Sequence, residues 1–219
     1  TIHKSGYFIT GSDTDVGKTY ITCEIVTQLS EFGLVLETRK PAESGCELDP
    51  SGTMVPADGL KLQAANQYRE NIDRITPYKF RAALAPHRAA RMEGRQLLLK
   101  HLIDACSQDD CNSTMIVEGA GGFYSPLAND ALNADLAKWL QLPAIIVIND
   151  QIGAVNQALL TIQAVENSGL TIAAIILNQL EPNIAADMNN IEDLLKHCKH
   201  PIFGCGYQQA LPLIFNAIG

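Results

Sequence analysis

The stretch Gly11-Ser-Asp-Thr-Asp-Val-Gly-Lys-Thr19 constrains this chain more than any other. It follows a short β-rich run over 7–10 and opens a helical pattern over 17–32. A turn in that position presents successive backbone N–H groups as a concave anion site, and the helix behind it aims its positive N-terminus at the same place. Lys18 then supplies a mobile charge for the β and γ oxygens of a nucleotide, and Thr19 a hydroxyl for Mg²⁺. A strand before and a helix after are what give such a Walker A match its meaning. Ser12 stands where the first glycine usually does, with Gly11 one place earlier. The plain alternative is a Gly-Lys-Thr helix start with no ligand.

Beyond the loop, β-rich runs and helical patterns keep alternating. Strands are predicted over 34–39, 115–117, 144–149, 172–177 and 201–203, and helices over 58–68, 95–106, 134–140, 155–168 and 184–197. The strands are apolar runs without alternation, so both of their faces are covered. Strand and helix taking turns implies an α/β fold, P-loop NTPase-like, with a mostly parallel central sheet and helices on both faces. No repeat or linker interrupts the chain, so 1–219 reads as one domain, with 43–57 a loop inside it. At 47% hydrophobic and 18% charged residues, it can bury a sizeable core. Its net charge of −8, from 16 basic and 24 acidic residues, argues against general nucleic-acid binding.

The six cysteines form no Cys-x-x-Cys pair and are expected to be unbridged thiols in a reducing compartment. The apolar runs at 144–148 and 172–177 are too short to span a bilayer. Thr1-Ile-His-Lys-Ser-Gly6 lacks a signal-peptide pattern. The expectation is a soluble cytoplasmic protein.

Lys40 ends the second strand, and the proline after it favours an extended backbone there. Ligands of open parallel sheets bind at the carboxyl edge, so a second lysine beside the loop is positioned to neutralise a transferring phosphoryl group. The bland reading is a solvated lysine beside a turn. Glu118 ends the third strand, placed like the acid that holds Mg²⁺ in Walker B motifs. Gly119, Gly121 and Gly122 follow it and allow close backbone approach; a surface acid before a glycine turn is the alternative. Asp58, near a helix start, reads by itself as an N-cap. Asn178 ends the fifth strand, where its amide either binds adenine or starts a turn. His87, His101, His197 and His200 do not form a metal set, and the 197–200 cluster suits the negative end of a helix dipole. Trp139 reads as core.

Four segments together resemble the dethiobiotin synthetase family: the loop Gly11 to Thr19, Lys40-Pro-Ala-Glu-Ser-Gly45, Pro86-His-Arg-Ala-Ala90 and Val117-Glu-Gly-Ala-Gly-Gly122. They occur in order, within patterns compatible from Tyr7 to Gly204. The resemblance implies a Mg²⁺-dependent enzyme that uses ATP to join CO₂ to 7,8-diaminopelargonic acid and close a cyclic urea. It implies that Lys40 is the catalytic lysine and that Lys18 holds phosphate and carbamate. Thr19, Asp58 and Glu118 become Mg²⁺ ligands, which reverses the capping role for Asp58. Asp15, Val16, Gly17, Lys18, Thr19 and Tyr20 would line ATP with Glu118, Gly119, Ala120 and Gly121. Asn178 and Gln179 would meet adenine, and Thr14 and Ser44 the diamine. It also implies a homodimer, in which the helix start at Gly153 to Asn156 receives the substrate carboxylate from the neighbouring chain. After Gly204 the sequence reads Cys-Gly-Tyr-Gln-Gln, where the family often has an Ile-Pro pair.

A small-molecule P-loop kinase and a nucleotide-switched partitioning ATPase are the other classes to weigh. A kinase leaves the Lys40 to Gly45 motif unexplained. The partitioning ATPases usually carry an extra lysine early in the loop, where this chain has Ser12 to Asp15.

Overall fold

The computed structural model describes residues 5–108, 110, 112–183, 185 and 187–214. Thr1 to Lys4, Cys111 and Ile184, which enter the expectations about the N-terminus, the thiols and a helix start, lie outside the described residues. In chain order the first part holds β1 (Gly6–Gly11), α1 (Lys18–Glu31), β2 (Leu36–Arg39), β3 (Ala42–Ser44), β4 (Glu47–Leu48) and β5 (Met54–Val55). Then come α2 (Ala57–Ala65), α3 (Ile72–Ile75), β6 (Tyr78–Phe80), α4 (Pro86–Met92), α5 (Leu99–Ala105) and β7 (Thr114–Glu118). After β8 (Pro126–Ala128), β9 (Ala131–Leu132) and α6 (Asn133–Leu140), the chain runs through β10 (Ala144–Asn149), α7 (Ala154–Asn167), β11 (Ile172–Asn178), α8 (Asn190–Leu195) and β12 (Ile202–Cys205).

Six strands make one sheet in the order β12-β11-β10-β1-β7-β2, every neighbouring pair parallel. Alternate residues of each strand feed two separate cores. Phe8, Met115, Val117, Ile146 and Ile148 pack towards α5, α6 and α7. Ile9, Ile116, Ile145 and Val147 pack towards Ile21, Ile25 and Leu29 of α1. That i, i+4, i+8 spacing is one helix face, which is why α1 is amphipathic and seats on the sheet. It ends in a Schellman turn: Gly33, at φ 83°, donates to Ser30 O, and Leu34 donates to Leu29 O.

The register sets up the site. Ile9 pairs with Glu118, and Arg39 pairs with Val117. Because β7 lies between β1 and β2, the loop after β1, Lys40 after β2 and Glu118 at the end of β7 all meet at one carboxyl edge.

Several expectations need correction. The segment 43–57 is not a plain loop: β3 pairs with β6, and β4 pairs with β5. α2 stops at Ala65 because Gln67 and Tyr68 are left-handed, at φ 54° and 57°. The helix expected from Arg95 begins at Leu99, since the Leu97 backbone is instead hydrogen-bonded to Asn129. Among the described residues the last helix covers Asn190–Leu195, opened by the Asn189 side chain accepting from Glu192 N. Trp139 is 51% exposed and not core; α6 buries Leu136, Ala137 and Leu140 on its other face.

Candidate active site

The loop between β1 and α1 makes a turn that only certain residues permit. Gly17 stands at the N-cap of α1 with φ 86°, and a Cβ there would lie 2.1 Å from Asn178 Nδ2. That amide nitrogen donates to Val16 O at 3.0 Å, tying the loop to the end of β11. Lys18 is buried and donates to Asp13 O across the loop at 2.7 Å. Burial pulls its ammonium down to about 8, against the opposing attraction of Glu118.

Lys40 is the hub of the cleft. Its ammonium donates to Glu118 Oε1 at 2.7 Å, to Asp58 Oδ2 at 2.6 Å and to Thr19 Oγ1 at 3.4 Å. Thr19 Oγ1 in turn donates to Glu118 Oε1 at 2.7 Å. Burial works to lower the Lys40 pKa, but the Glu118 and Asp58 carboxylates outweigh it and hold the ammonium above its usual range. Burial likewise works to raise the Asp58 carboxyl, and Lys40 outweighs it, so Asp58 sits below the ordinary carboxylate range.

Glu118 is 1% exposed, and its Oε2 is buried without a partner among the described residues. An orphaned carboxylate oxygen costs free energy unless a cation meets it. Two carboxylates and a hydroxyl suit Mg²⁺, a hard cation that keeps waters and phosphate oxygens among its ligands. The described residues contain no group of three or more His, Cys, Asp and Glu able to hold a metal by themselves.

The glycine turn after β7 forms the opposite wall. Asn133, fully buried, shapes it: its Nδ2 donates to Ala120 O at 2.6 Å, and its Oδ1 accepts from Ala120 N at 3.0 Å. A Cβ on Gly119 would come within 2.7 Å of that same oxygen. Asn133 was not foreseen, since fifteen residues of chain separate it from Glu118 and no spacing rule links them. Glu43 and Lys61 were also missed, although Glu43 lies inside the Lys40 to Gly45 motif.

The cleft has a volume of about 440 Å³. From the loop it collects Thr14, Asp15, Gly17, Lys18, Thr19 and Tyr20. Lys40, Ser44, Asp58 and Glu118 join them, with Gly119, Ala120 and Gly121 from the turn. Val16 turns its side chain into the core and stays out of the cleft. Asn178 is buried behind Gly17, and Gln179 lines a separate pocket beyond β10 and β11. Gly153 and Asn156, at the exposed start of α7, do not reach this chain's own cleft. Asp58 is no N-cap: Pro56 holds that position, and the Asp58 carboxylate faces Lys40 and Lys61.

With this geometry established, the likeness to known proteins is direct. A family model described as an AAA domain matches residues 5–206. The ATP-dependent dethiobiotin synthetase BioD of Ruthia magnifica subsp. Calyptogena magnifica is 41% identical over 192 residues, covering 88% of this chain and 86% of that protein. The one from Rhodopirellula baltica is 34% identical over 220 residues, covering 95% and 86%. Among solved structures, cell division protein FtsY from Thermotoga maritima superposes with a TM-score of 0.51 at 13% identity, covering 94% of this chain. Signal recognition particle receptor FtsY from Elizabethkingia anophelis gives 0.50 at 14%, covering 93%. The chain spans only 63% and 59% of those two structures, so their likeness shows the fold alone. Identity above 30% across most of both chains is a different matter: this chain belongs to the ATP-dependent dethiobiotin synthetase family.

Proposed function

We propose that this cleft carries out ATP-driven carboxylation and ring closure of 7,8-diaminopelargonic acid, giving dethiobiotin, ADP and phosphate. The observation that carries the reading is the meeting of two buried lysines, Lys18 and Lys40, with Glu118 and the Thr19 hydroxyl in one cleft. One substrate amine adds to CO₂ and loses a proton, forming a carbamate. A carbamate oxygen attacks the γ-phosphorus, and the bond to ADP breaks. The second amine attacks the carbonyl carbon of the resulting mixed anhydride, phosphate leaves, and the ring closes. Such steps need positioning and cations around spreading negative charge more than they need acid–base chemistry.

Lys18 holds the phosphates from within the loop. Lys40, outside it, meets the charge that develops on the transferring group. Thr19, Asp58 and Glu118 are the residues that would hold Mg²⁺, which supplies charge neutralisation at phosphate oxygens. Asn178 has spent its Nδ2 on Val16 O, which leaves Oδ1 to accept from an adenine amino group. Gln179 stands beside it, and Thr14 and Ser44 face the diamine.

The same reading makes the enzyme a homodimer, with α7 of one chain taking the substrate carboxylate of its neighbour. Gly153 starts α7 with no side-chain cap; Ala154 N donates back to Gln151 O at 3.0 Å, so the Val155 and Asn156 N–H groups are the ones offered to an anion. Ile152, Leu160 and Tyr124, on or beside α7, are 81%, 60% and 54% exposed, which supports a covered face there. We read residues 1–219 as one synthetase domain working in the cytoplasm; no described helix is long and apolar enough to cross a membrane. The test is phosphate release with diamine and bicarbonate omitted in turn. Release must require both, and a full rate without bicarbonate would overturn the reading in favour of a kinase or simple ATPase.

A further inference from the structure

The geometry points to Glu43 as a positioning residue that sets Asp58 for the metal by capping the first turn of α2 from outside the helix. This rests on the reading of Asp58 as a Mg²⁺ ligand. The first N–H groups of any helix lack partners within it. At α2 the N-cap is Pro56, which has no side-chain acceptor to offer. Glu43 fills the role from β3: its Oε1 accepts from Asp58 N at 2.9 Å and its Oε2 from Gly59 N at 2.9 Å. It is 6% exposed; its bond to Gly59 N is buried and that to Asp58 N part-buried, and both are charge-assisted bonds at the positive end of a helix.

The backbone so held belongs to the residue whose carboxylate bridges Lys40 and Lys61. Packing closes the other side. A Cβ on Gly59 would lie 2.3 Å from Thr76 Oγ1, so the helix start is pressed between Glu43 and Thr76. Each Glu43 oxygen is aimed at one N–H, which makes the residue an anchor for Asp58 and not itself a ligand.

The experiment uses the full chain loaded with ADP and reads Mn²⁺ affinity by paramagnetic resonance. Glu43→Ala is expected to weaken Mn²⁺ binding by roughly 10–100-fold, as loss of a residue that orients a metal ligand does. Metal-free ADP affinity should stay unchanged. Adding Glu43→Ala to Asp58→Ala should cost little more than Asp58→Ala alone, because both act through one carboxylate. Pro56→Ser in the Glu43→Ala background supplies a local cap and should restore most of the affinity, which a lost ligand at position 43 would not allow. If Glu43→Ala does not fold, Glu43→Gln, which keeps the volume and one acceptor, should show an intermediate loss.

Wild-type Mn²⁺ affinity in either Glu43 variant, or full additivity with Asp58→Ala, overturns the inference. Wild-type affinity in Asp58→Ala overturns it together with the metal assignment beneath it. The wild-type requirement for diamine and bicarbonate tests the proposed reaction separately.

Discussion

Replacing Lys40 by Met keeps most of the side-chain volume and removes one charge. Two ion pairs are lost, at 2.7 Å to Glu118 and 2.6 Å to Asp58. The Glu118 side chain is 0% exposed and Asp58 32%, so the Asp58 half is partly screened by solvent. Breaking a buried pair from one side costs about 3–5 kcal/mol, because the remaining charge is stranded; the exposure of Asp58 favours the lower figure. At about 2–4 °C per kcal/mol for a domain of this size, the metal-free Tm should fall by roughly 6–12 °C.

The pH dependence has a defined sign. The raised Lys40 pKa contributes stability that is fully present below the unfolded lysine value and lost only as pH rises through the folded one. The lowered Asp58 pKa contributes stability present above its unfolded value and lost in acid. The gap between wild type and variant should therefore be flat from neutrality to mild alkali and close in acid. Mg²⁺ should raise the Tm of the variant more than that of the wild type, where the ammonium already neutralises both carboxylates. Diamine-dependent phosphate release should fall by about 10²–10³, the usual cost of one preorganised charge. Calorimetry in chelator and in Mg²⁺, beside single-turnover chemistry, checks each part. A metal-free Tm equal to that of the wild type would refute the claim that Lys40 is the counter-charge of Glu118.

Lys18→Ala should abolish phosphate release, since backbone amides cannot replace a charge on the γ-phosphate; survival of the wild-type rate removes the loop assignment. Because burial holds Lys18 at about 8, and bound polyphosphate requires it charged, nucleotide affinity should weaken as pH rises past that value. The limiting slope is about tenfold per pH unit, with proton uptake on binding measurable by titration calorimetry in buffers of different ionisation heat. Mixing Lys40→Ala chains with Asn156→Ala chains should recover activity, since one site of each hybrid dimer keeps both groups; full activity in a strictly monomeric sample contradicts the shared site. Asn178→Ala leaves the buried Val16 carbonyl without its donor and should cost about 1–3 kcal/mol in unfolding experiments, besides weakening nucleotide binding.

What the sequence made legible follows strand ends. Glu118 stands at the tip of an apolar strand, Lys40 just beyond β2, and Lys18 at the end of the loop that follows β1; a parallel sheet brings such positions to one edge whatever their separation along the chain. Asp58 was ambiguous for a physical reason. An acid two residues into a helix stabilises it in either role, and what decides is which side chain takes the orphan N–H groups. Glu43 takes them from fifteen residues away, beyond the reach of any local pattern. β2 was legible as a strand only by its position, because Glu37 and Arg39 are buried in it as an ion pair and hide its apolar character. β4 and β5, two residues each, are shorter than any periodicity can register.

Three departures from local rules meet at the site, while others, such as the left-handed Gln67, Tyr68 and Gln141, lie elsewhere. Gly17 is left-handed at a helix start, Asp15 is left-handed without being glycine, and Glu118 buries an unpartnered carboxylate oxygen. The left-handed Asp15 and the buried Glu118 oxygen cost stability where they stand, Gly17 is the residue type that takes its turn without strain, and all three line the same cleft. At Gln67 and Tyr68 the left-handed backbone serves to end α2, whereas at Asp15 and Glu118 a bound nucleotide and cation would offset the cost.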